Sequence, residues 1–324
     1  MIEKKRILVI GGSGFIGSYL IKRLLEDKNE IINFDKEPSS IYHENLQTVI
    51  GNVKKPKSFD SLSHKIDLVY ILAAEHRDDI NDSQIYYDTN YKGMKNIIKY
   101  CNRTLINNII FYSSAAVYGN NFTNCSEEKS NLNPQNHYGK SKVLAESELS
   151  DWVGKNSARR LIIIRPSAVY GKGSKSNMNR MIDYISKGKF IMVGRGDNIK
   201  TVCYVENLVD FTLYVQSSSA DSHIVFNYAD FPHYSINKLI EVISKIVKKK
   251  IIKIPYVIAY GIGLFFDFIS FIINKKNNMS SNRVKKFCSN TSLDTKKIED
   301  LGYKPKYNLI DSINKSTESF INLN

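Results

Sequence analysis

Cysteine is scarce, four in 324 residues. The four, Cys101, Cys125, Cys203 and Cys288, are far apart, with no Cys-x-x-Cys pair and no histidine close enough in sequence to suggest a zinc site. No metal is expected, and a reducing cytoplasm fits this usage. Also missing is an apolar leader with a small-residue cleavage site: "MIEKKRILVIGG" passes from charges straight into a strand-like run, so nothing there directs secretion. No internal repeat and no low-complexity linker breaks the chain, whose length suits one large domain or two smaller ones. Acidic residues are outnumbered, 32 Asp and Glu against 46 Lys and Arg, giving a formal charge of +14. A lysine-, asparagine- and isoleucine-rich genome alone would produce that bias; the functional alternatives are a phosphate-bearing substrate, an anionic membrane surface or nucleic acid. Nucleic acid is disfavoured, because the basic residues form no stripe and no helix-turn-helix, finger or RNA-binding signature is present.

What is present begins at "RILVI" (6–10), an apolar β-branched run of the length of a buried parallel strand. "GGSGFIG" (11–17) follows and leads into the amphipathic "SYLIKRLLED". Gly11, Gly14 and Gly17 thus lie in a strand-turn-helix context, where residues without side chains let the backbone approach a pyrophosphate and a helix N-terminus supplies amides and a positive dipole end. "IINFD" then places Asp35 at the end of a second strand. A carboxylate there accepts from adenosine ribose hydroxyls and repels a 2′-phosphate, which favours NAD over NADP. "DLVYILAA" (67–74), "SQIYYDTNYKGMKNIIKYC" (83–101) and "NNIIFYSS" (107–114) continue the strand and helix alternation. The pattern predicts an α/β fold with a Rossmann-type, doubly wound parallel sheet and ligands at the carboxyl ends of its strands.

Ser114 lies at such an end, where a turn or helix cap is the ordinary role for serine. Downstream, "HYGKSK" (137–142) puts Tyr138 and Lys142 four positions apart, on one face of a helix. An ammonium beside a phenol stabilises the phenolate and lowers its pKa from about 10 towards neutrality, which makes it usable as a base. A lone Tyr-x-x-x-Lys is common by chance. It gains weight from the glycine turn upstream and the serine between them.

Taken together, the glycine motif, "LAA", Asn90 in "TNYKG", "SSAAVYG", "YGKSK" and "IIIRPSAVYG" resemble the extended short-chain dehydrogenase/reductases of the sugar-nucleotide epimerase/dehydratase group, over nearly the whole chain. "GRGDNIKTVCYVENLVD" (194–210) and "LDTKKIEDLGYKPKYNLIDSI" (293–313) resemble that family's C-terminal landmarks. "LAAEHRDD", "NHYGKSK", "MVGRGDNIK…YVEN" and "SSNRVKKFC" are similar to a narrower bacterial group, the N-acetylglucosaminyl-diphospho-undecaprenol 4-epimerases, which make the N-acetylgalactosaminyl lipid that starts some surface polysaccharides such as O-antigen.

The resemblance implies an NAD-binding domain over 1–171 with a returning segment near 200–226, and a smaller, mostly helical substrate domain from 172–199 and 227–324. It implies Tyr138 as catalytic acid/base, Lys142 as its electrostatic partner and nicotinamide-ribose ligand, and Ser114 as the donor that orients the reacting hydroxyl. Gly11, Gly14, Phe15, Ile16 and Gly17 would hold the pyrophosphate and Asp35 the adenosine ribose. Asn52 and Val53 fall at the adenine end, and Leu72, Ala73, Ala74 and Asn90 around the cofactor. Two departures bear on that end: Ile10 replaces the usual threonine, and Asn52 stands where an aspartate often contacts adenine. Ala115 and Ala116 occupy the places of the Asp-Glu pair that family dehydratases use to eliminate water, so a dehydratase is disfavoured. For the substrate, Lys200 and Arg283 fall near positions of phosphate-binding arginines, and Thr291 where acceptors of N-acetylated sugars carry a small residue. A soluble surface cation is the plain alternative for Lys200 and Arg283.

Finally, "IPYVIAYGIGLFFDFISFII" (254–273) is apolar on nearly all helical faces, interrupted by Asp267 and followed by Lys275, Lys276, Arg283, Lys285 and Lys286. As a bilayer span it is marginal, since a central aspartate costs about 2.5–3.5 kcal/mol. A peripheral contact with the inner face of the membrane and burial in the substrate domain are the two alternatives. Three functions are therefore weighed: an epimerase of lipid-diphosphate sugar, a soluble UDP-glucose or UDP-N-acetylglucosamine 4-epimerase, and a non-catalytic NAD-binding protein, which would be expected to lack Ser114, Tyr138 or Lys142. A homodimer through a helix pair is a frequent family arrangement.

Overall fold

Seven short apolar runs form one parallel sheet: β1 (Arg6–Ile10), β2 (Glu30–Asp35), β3 (Leu46–Ile50), β4 (Leu68–Ile71), β5 (Asn108–Tyr112), β6 (Arg160–Pro166) and β7 (His223–Tyr228). The computed structural model describes residues 4–62, 65–77, 82–218, 221–273 and 280–321. The strand order is β7-β6-β5-β4-β1-β2-β3. The chain winds one way from β1 through β3 and the other way from β4 onward. The crevice for a ligand therefore opens where the winding reverses, at the carboxyl ends of β1 and β4.

Both faces of the sheet are covered, which is why its central strands read as unbroken apolar runs rather than alternating ones. Leu8, Ile10, Val69, Ile71 and Phe111 pack under helices α2 (Gly93–Arg103) and α3 (His137–Gly154), with Ile97, Leu149 and Trp152 filling the layer. Ile7, Val9, Tyr70, Ile110 and Tyr112 face the other way, onto α1 (Phe15–Glu26) and, beyond β6, α5 (Val205–Ser218), through Leu20, Leu24, Leu208 and Phe211. A third cluster joins α4 (Asn177–Ser186), α6 (Ile236–Ile246) and the closing helix Leu309–Ile321 through Ile182, Ile185, Leu239, Ile243 and Ile313. It forms the smaller, mostly helical part beside the sheet.

Three two-stranded parallel pairs stitch the parts together: Val202–Tyr204 with Ala168–Tyr170, Ile252–Ile254 with Ile191–Val193, and Thr291–Leu293 with Phe122–Cys125. The last brings the distal part of the chain against the loop that leaves β5. Between it and α6 lie α7 (Tyr256–Ile272) and α8 (Ser281–Cys288), packed on each other. Only Ala259 and Gly263 of α7 are buried, so the alternative of a helix sunk in the substrate domain is not what the fold contains. Lys275 and Lys276 lie outside the described residues.

Candidate active site

The turn from β1 into α1 is held by contacts that leave no room for side chains. Gly11 sits at φ +91°, and a Cβ there would lie 2.4 Å from the Ala73 amide nitrogen; one at Gly17 would lie 2.5 Å from the Gly11 carbonyl oxygen. The Leu72 and Ala73 amides both donate to the Ile10 carbonyl, which brings the end of β4 directly against the glycine turn. Asp35 closes the second side: its carboxylate accepts from the Ser13 amide at 3.0 Å and the Glu37 amide at 3.1 Å. The turn thus presents the α1 N-terminus, led by Phe15 and Ile16, over a cradle of backbone, with a carboxylate beside it. At Gly14 a Cβ would meet only the Gly11 carbonyl, at 3.3 Å, so this side of the turn is comparatively open.

Two segments meet at the end of β5. Ser114 caps the short 3-10 turn Ala115–Tyr118, its Oγ accepting from the Ala116 amide at 3.1 Å, which leaves its proton for another acceptor. The helix-cap role and a substrate-facing role are compatible in this geometry. Asn136 caps α3 by accepting from the Gly139 amide at 2.7 Å, and Tyr138 follows in the first turn, where the dipole favours an anion. Contact between the segments is made at Gly139: a Cβ there would stand 2.5 Å from the Ala116 carbonyl oxygen. Glycine lets the first turn of α3 close onto the Ser114 turn.

Lys142 lies beneath this contact, 2 % exposed. Its Nζ donates to the Tyr112 carbonyl at 2.7 Å and sits 6.0 Å from the Tyr138 ring centroid and 4.6 Å from that of Phe111. Burial pushes the ammonium down to about 7, opposed by the Glu146 carboxylate one helical turn on. Glu146 in turn is gripped by Arg165 of β6, Nε to Oε1 at 3.0 Å and Nη2 to Oε2 at 2.6 Å. The Arg165 Nη1 reaches the Tyr118 hydroxyl at 2.8 Å, and that hydroxyl donates to Asn227 Oδ1 at 2.8 Å. Sequence reasoning passed over this buried chain. A charge in the middle of the apolar "IIIRP" strand and a carboxylate four residues after Lys142 were its visible signals.

The other expected cofactor residues are placed as follows. Asn90 is buried in the π-helical turn Tyr87–Lys92, accepts from the Glu75 amide at 2.8 Å and donates to the Glu75 carbonyl at 3.0 Å and Ser141 Oγ at 2.9 Å. Its side chain ties the segment after Ala74 to α3. Asn52 accepts from the Lys54 amide at 3.0 Å, shaping the turn beyond β3. Val53 is buried against Gly93 at the start of α2.

Two of the three expected substrate residues meet, and the third lies on a neighbouring helix. Lys200 and Thr291 pair as a parallel bridge, and the Lys200 Nζ donates to the Lys286 carbonyl of α8 at 2.9 Å. Burial lowers the Lys200 ammonium to about 8, with Cys288 opposing. Arg283 is exposed on α8, one turn earlier. Thr291 also pairs with Phe122, in the segment that continues from the Ser114 turn.

Chemically, the first group can bind a dinucleotide at the turn and carboxylate and move a proton between a phenol and a substrate hydroxyl above a buried ammonium. The chain is 39% identical over 96% of its length, and 94% of the relative's, to an N-acetyl-alpha-D-glucosaminyl-diphospho-ditrans,octacis-undecaprenol 4-epimerase of Escherichia coli O157:H7. It is 25% identical over 99% of its length, and 97% of the relative's, to a UDP-glucose 4-epimerase of Vibrio cholerae. The structure of a Thermus thermophilus UDP-glucose 4-epimerase in complex with NAD has a TM-score of 0.76 at 16% identity, covering 98% of this chain and 99% of that one. Residues 7–229 match the NAD dependent epimerase/dehydratase family, and the chain belongs to it.

Proposed function

We propose that this protein is an NAD-dependent 4-epimerase that interconverts N-acetylglucosamine and N-acetylgalactosamine carried on undecaprenyl diphosphate, a step in the synthesis of a surface polysaccharide such as O-antigen. The observation that carries the substrate assignment is the near full-length, 39% identical relative, which acts on that class of lipid-linked sugar. The reaction class rests on the family match and is supported by the first turn of α3, which carries Tyr138 with Lys142 behind it and packs at Gly139 on the turn that Ser114 caps.

The glycine cradle fits a dinucleotide, since a side chain at Gly11 or Gly17 would collide with backbone within 2.5 Å. Gly11, Gly14, Phe15, Ile16 and Gly17 would hold the pyrophosphate, Asp35 the ribose hydroxyls, Asn52 and Val53 the adenine end. Leu72, Ala73 and Ala74 wall the crevice, and Asn90 fixes the path of the chain that follows them. NAD held there would supply reversible hydride transfer at the sugar C4. The chain's own part is the proton. Tyr138, in the first turn of α3 with the Lys142 Nζ 6.0 Å from its ring centroid, would remove the proton from the C4 hydroxyl and later return it to the ketone oxygen of the 4-keto sugar. Ser114, whose Oγ already accepts from the Ala116 amide, donates its free proton to that oxygen and keeps it in place. Ala115 and Ala116 carry no acid or base with which to expel water. Lys200 and Arg283 would hold the diphosphate, and Thr291 would stand beside the N-acetyl group.

The Vibrio cholerae relative supports a second reading, a soluble UDP-sugar 4-epimerase with the same catalytic residues. Incubating the purified protein in detergent with N-acetylglucosaminyl-diphospho-undecaprenol, and in parallel with UDP-N-acetylglucosamine, separates the two. Formation of the galacto epimer on the lipid, at a kcat/KM well above that for UDP-linked sugar, is expected. Turnover of the UDP-linked sugar alone would reverse the assignment. A lipid-borne substrate would also place the protein at the inner face of the membrane; among the described residues no helix is long and apolar enough to cross a bilayer.

A further inference from the structure

Helix α7 is turned inside out relative to an ordinary surface helix. Its small and polar residues, Ala259, Gly263, Asp267 and Ser270, share one face, and that face meets the protein. A Cβ at Gly263 would stand 2.7 Å from the Ser281 amide nitrogen, and Asp267 Oδ2 accepts from that same amide at 3.1 Å. The aspartate that makes a bilayer span marginal in the sequence is therefore turned onto the N-terminus of α8. On the opposite face Val257, Leu264, Phe265, Phe268 and Phe271 are 78, 49, 61, 62 and 84% exposed. A soluble helix buries such a stripe and exposes its polar side. A contiguous apolar patch of this kind marks a surface with a partner.

Charge decides which partner. Arg283, Lys285 and Lys286 are all exposed on α8, packed alongside, in a chain of formal charge +14. A second copy paired through this face would bring two sets of those cations together, whereas anionic headgroups neutralise them. At 17 residues α7 is about 26 Å long, suited to lying along a bilayer rather than crossing it. The hairpin is also close to the candidate site. The segment after α8 joins the loop beyond Ser114, with the Phe122 amide donating to the Asn290 carbonyl at 3.1 Å and Ser289 Oγ to the Asn120 carbonyl at 3.3 Å.

We propose that α7 and α8 form a docking hairpin for an anionic lipid bilayer, with the α7 apolar face set into the headgroup and acyl boundary and Lys285 and Lys286 of α8 on lipid phosphates. The proposal rests on the lipid-linked reading of the site and adds the surface on which that substrate arrives. The test is flotation of the full chain with vesicles of phosphatidylethanolamine and phosphatidylglycerol at 7:3, and with phosphatidylcholine alone, at low and high salt. Salt-sensitive binding to the anionic vesicles is expected. The F265S/F268S double variant should lose about tenfold or more in partitioning while keeping its melting temperature and NAD binding. The K285E/K286E variant should lose about tenfold on anionic vesicles alone. Absence of vesicle binding at either salt overturns the proposal, and so does self-association abolished by F265S/F268S without vesicle binding, which assigns the face to a second copy. Epimerisation of the lipid-linked sugar in detergent is measured separately. Turnover without vesicle binding overturns docking and keeps the enzyme; vesicle binding without turnover does the reverse.

Discussion

The most consequential single side chain is Lys142, an ammonium taken almost wholly out of water and given a backbone carbonyl at 2.7 Å. Burial holds it near 7 against its ordinary value of 10.5, so between those pH values the folded chain binds fewer protons here than the unfolded chain does. Stability from this group accordingly rises as pH goes up through that window. The melting temperature of NAD-free wild type, compared with that of Lys142→Met, should gain with pH from 7 to 9; a difference that is flat or falls contradicts the burial argument. Lys142→Met should also lower kcat by about a hundredfold or more, since the phenolate loses its cation. Tyr138 and Lys142 were legible from their four-residue spacing. The carbonyl of Tyr112 was not, because a backbone partner thirty residues away leaves no mark in composition or period.

At the scale of elements, the site depends on α3 closing onto the Ser114 turn. Gly139→Ala would place a methyl against the Ala116 carbonyl, where a Cβ would stand only 2.5 Å away, and push Tyr138 away from Ser114. A fall in kcat of about tenfold to a hundredfold is expected, as misplacement of catalytic groups by an ångström has that effect, with NAD affinity nearly unchanged by fluorescence titration. Equal activity would mean that the two turns do not act together. Beneath them the Arg165 and Glu146 side chains are 7 and 6% exposed. Arg165→Met leaves a carboxylate buried and unpaired, and should cost about 3–5 kcal/mol in a denaturant titration; Glu146→Gln together with Arg165→Met should recover part of it. The strand, glycine turn and helix of the first unit could be read from sequence because buried parallel strands and a glycine turn have local patterns. Gly139 and the Arg165 to Glu146 pair could not be read that way. Each acts across a contact between distant segments, and in "YGKSK" a glycine looks like a helix start and no more.

The whole molecule combines a sheet whose crevice follows from strand order with a distal part that leaves one apolar helix face exposed. The first was legible in the alternating strand and helix runs. In the second, the stretch 254–273 announced an apolar helix but not its orientation, because periodicity is weak when nearly every position is apolar; only packing against α8 shows that Asp267 faces inward. Raising salt should therefore lower the fraction of protein that floats with anionic vesicles, as screening acts on the exposed α8 cations. The central claim, a proton moved by Tyr138 while the C4 hydrogen is stored and returned within the site, is tested most directly by epimerising N-acetylglucosaminyl-diphospho-undecaprenol in D₂O with wild type and Tyr138→Phe. Wild-type product should retain protium at C4 and the variant should bind NAD without turnover; deuterium at C4, or product from the variant, would contradict it.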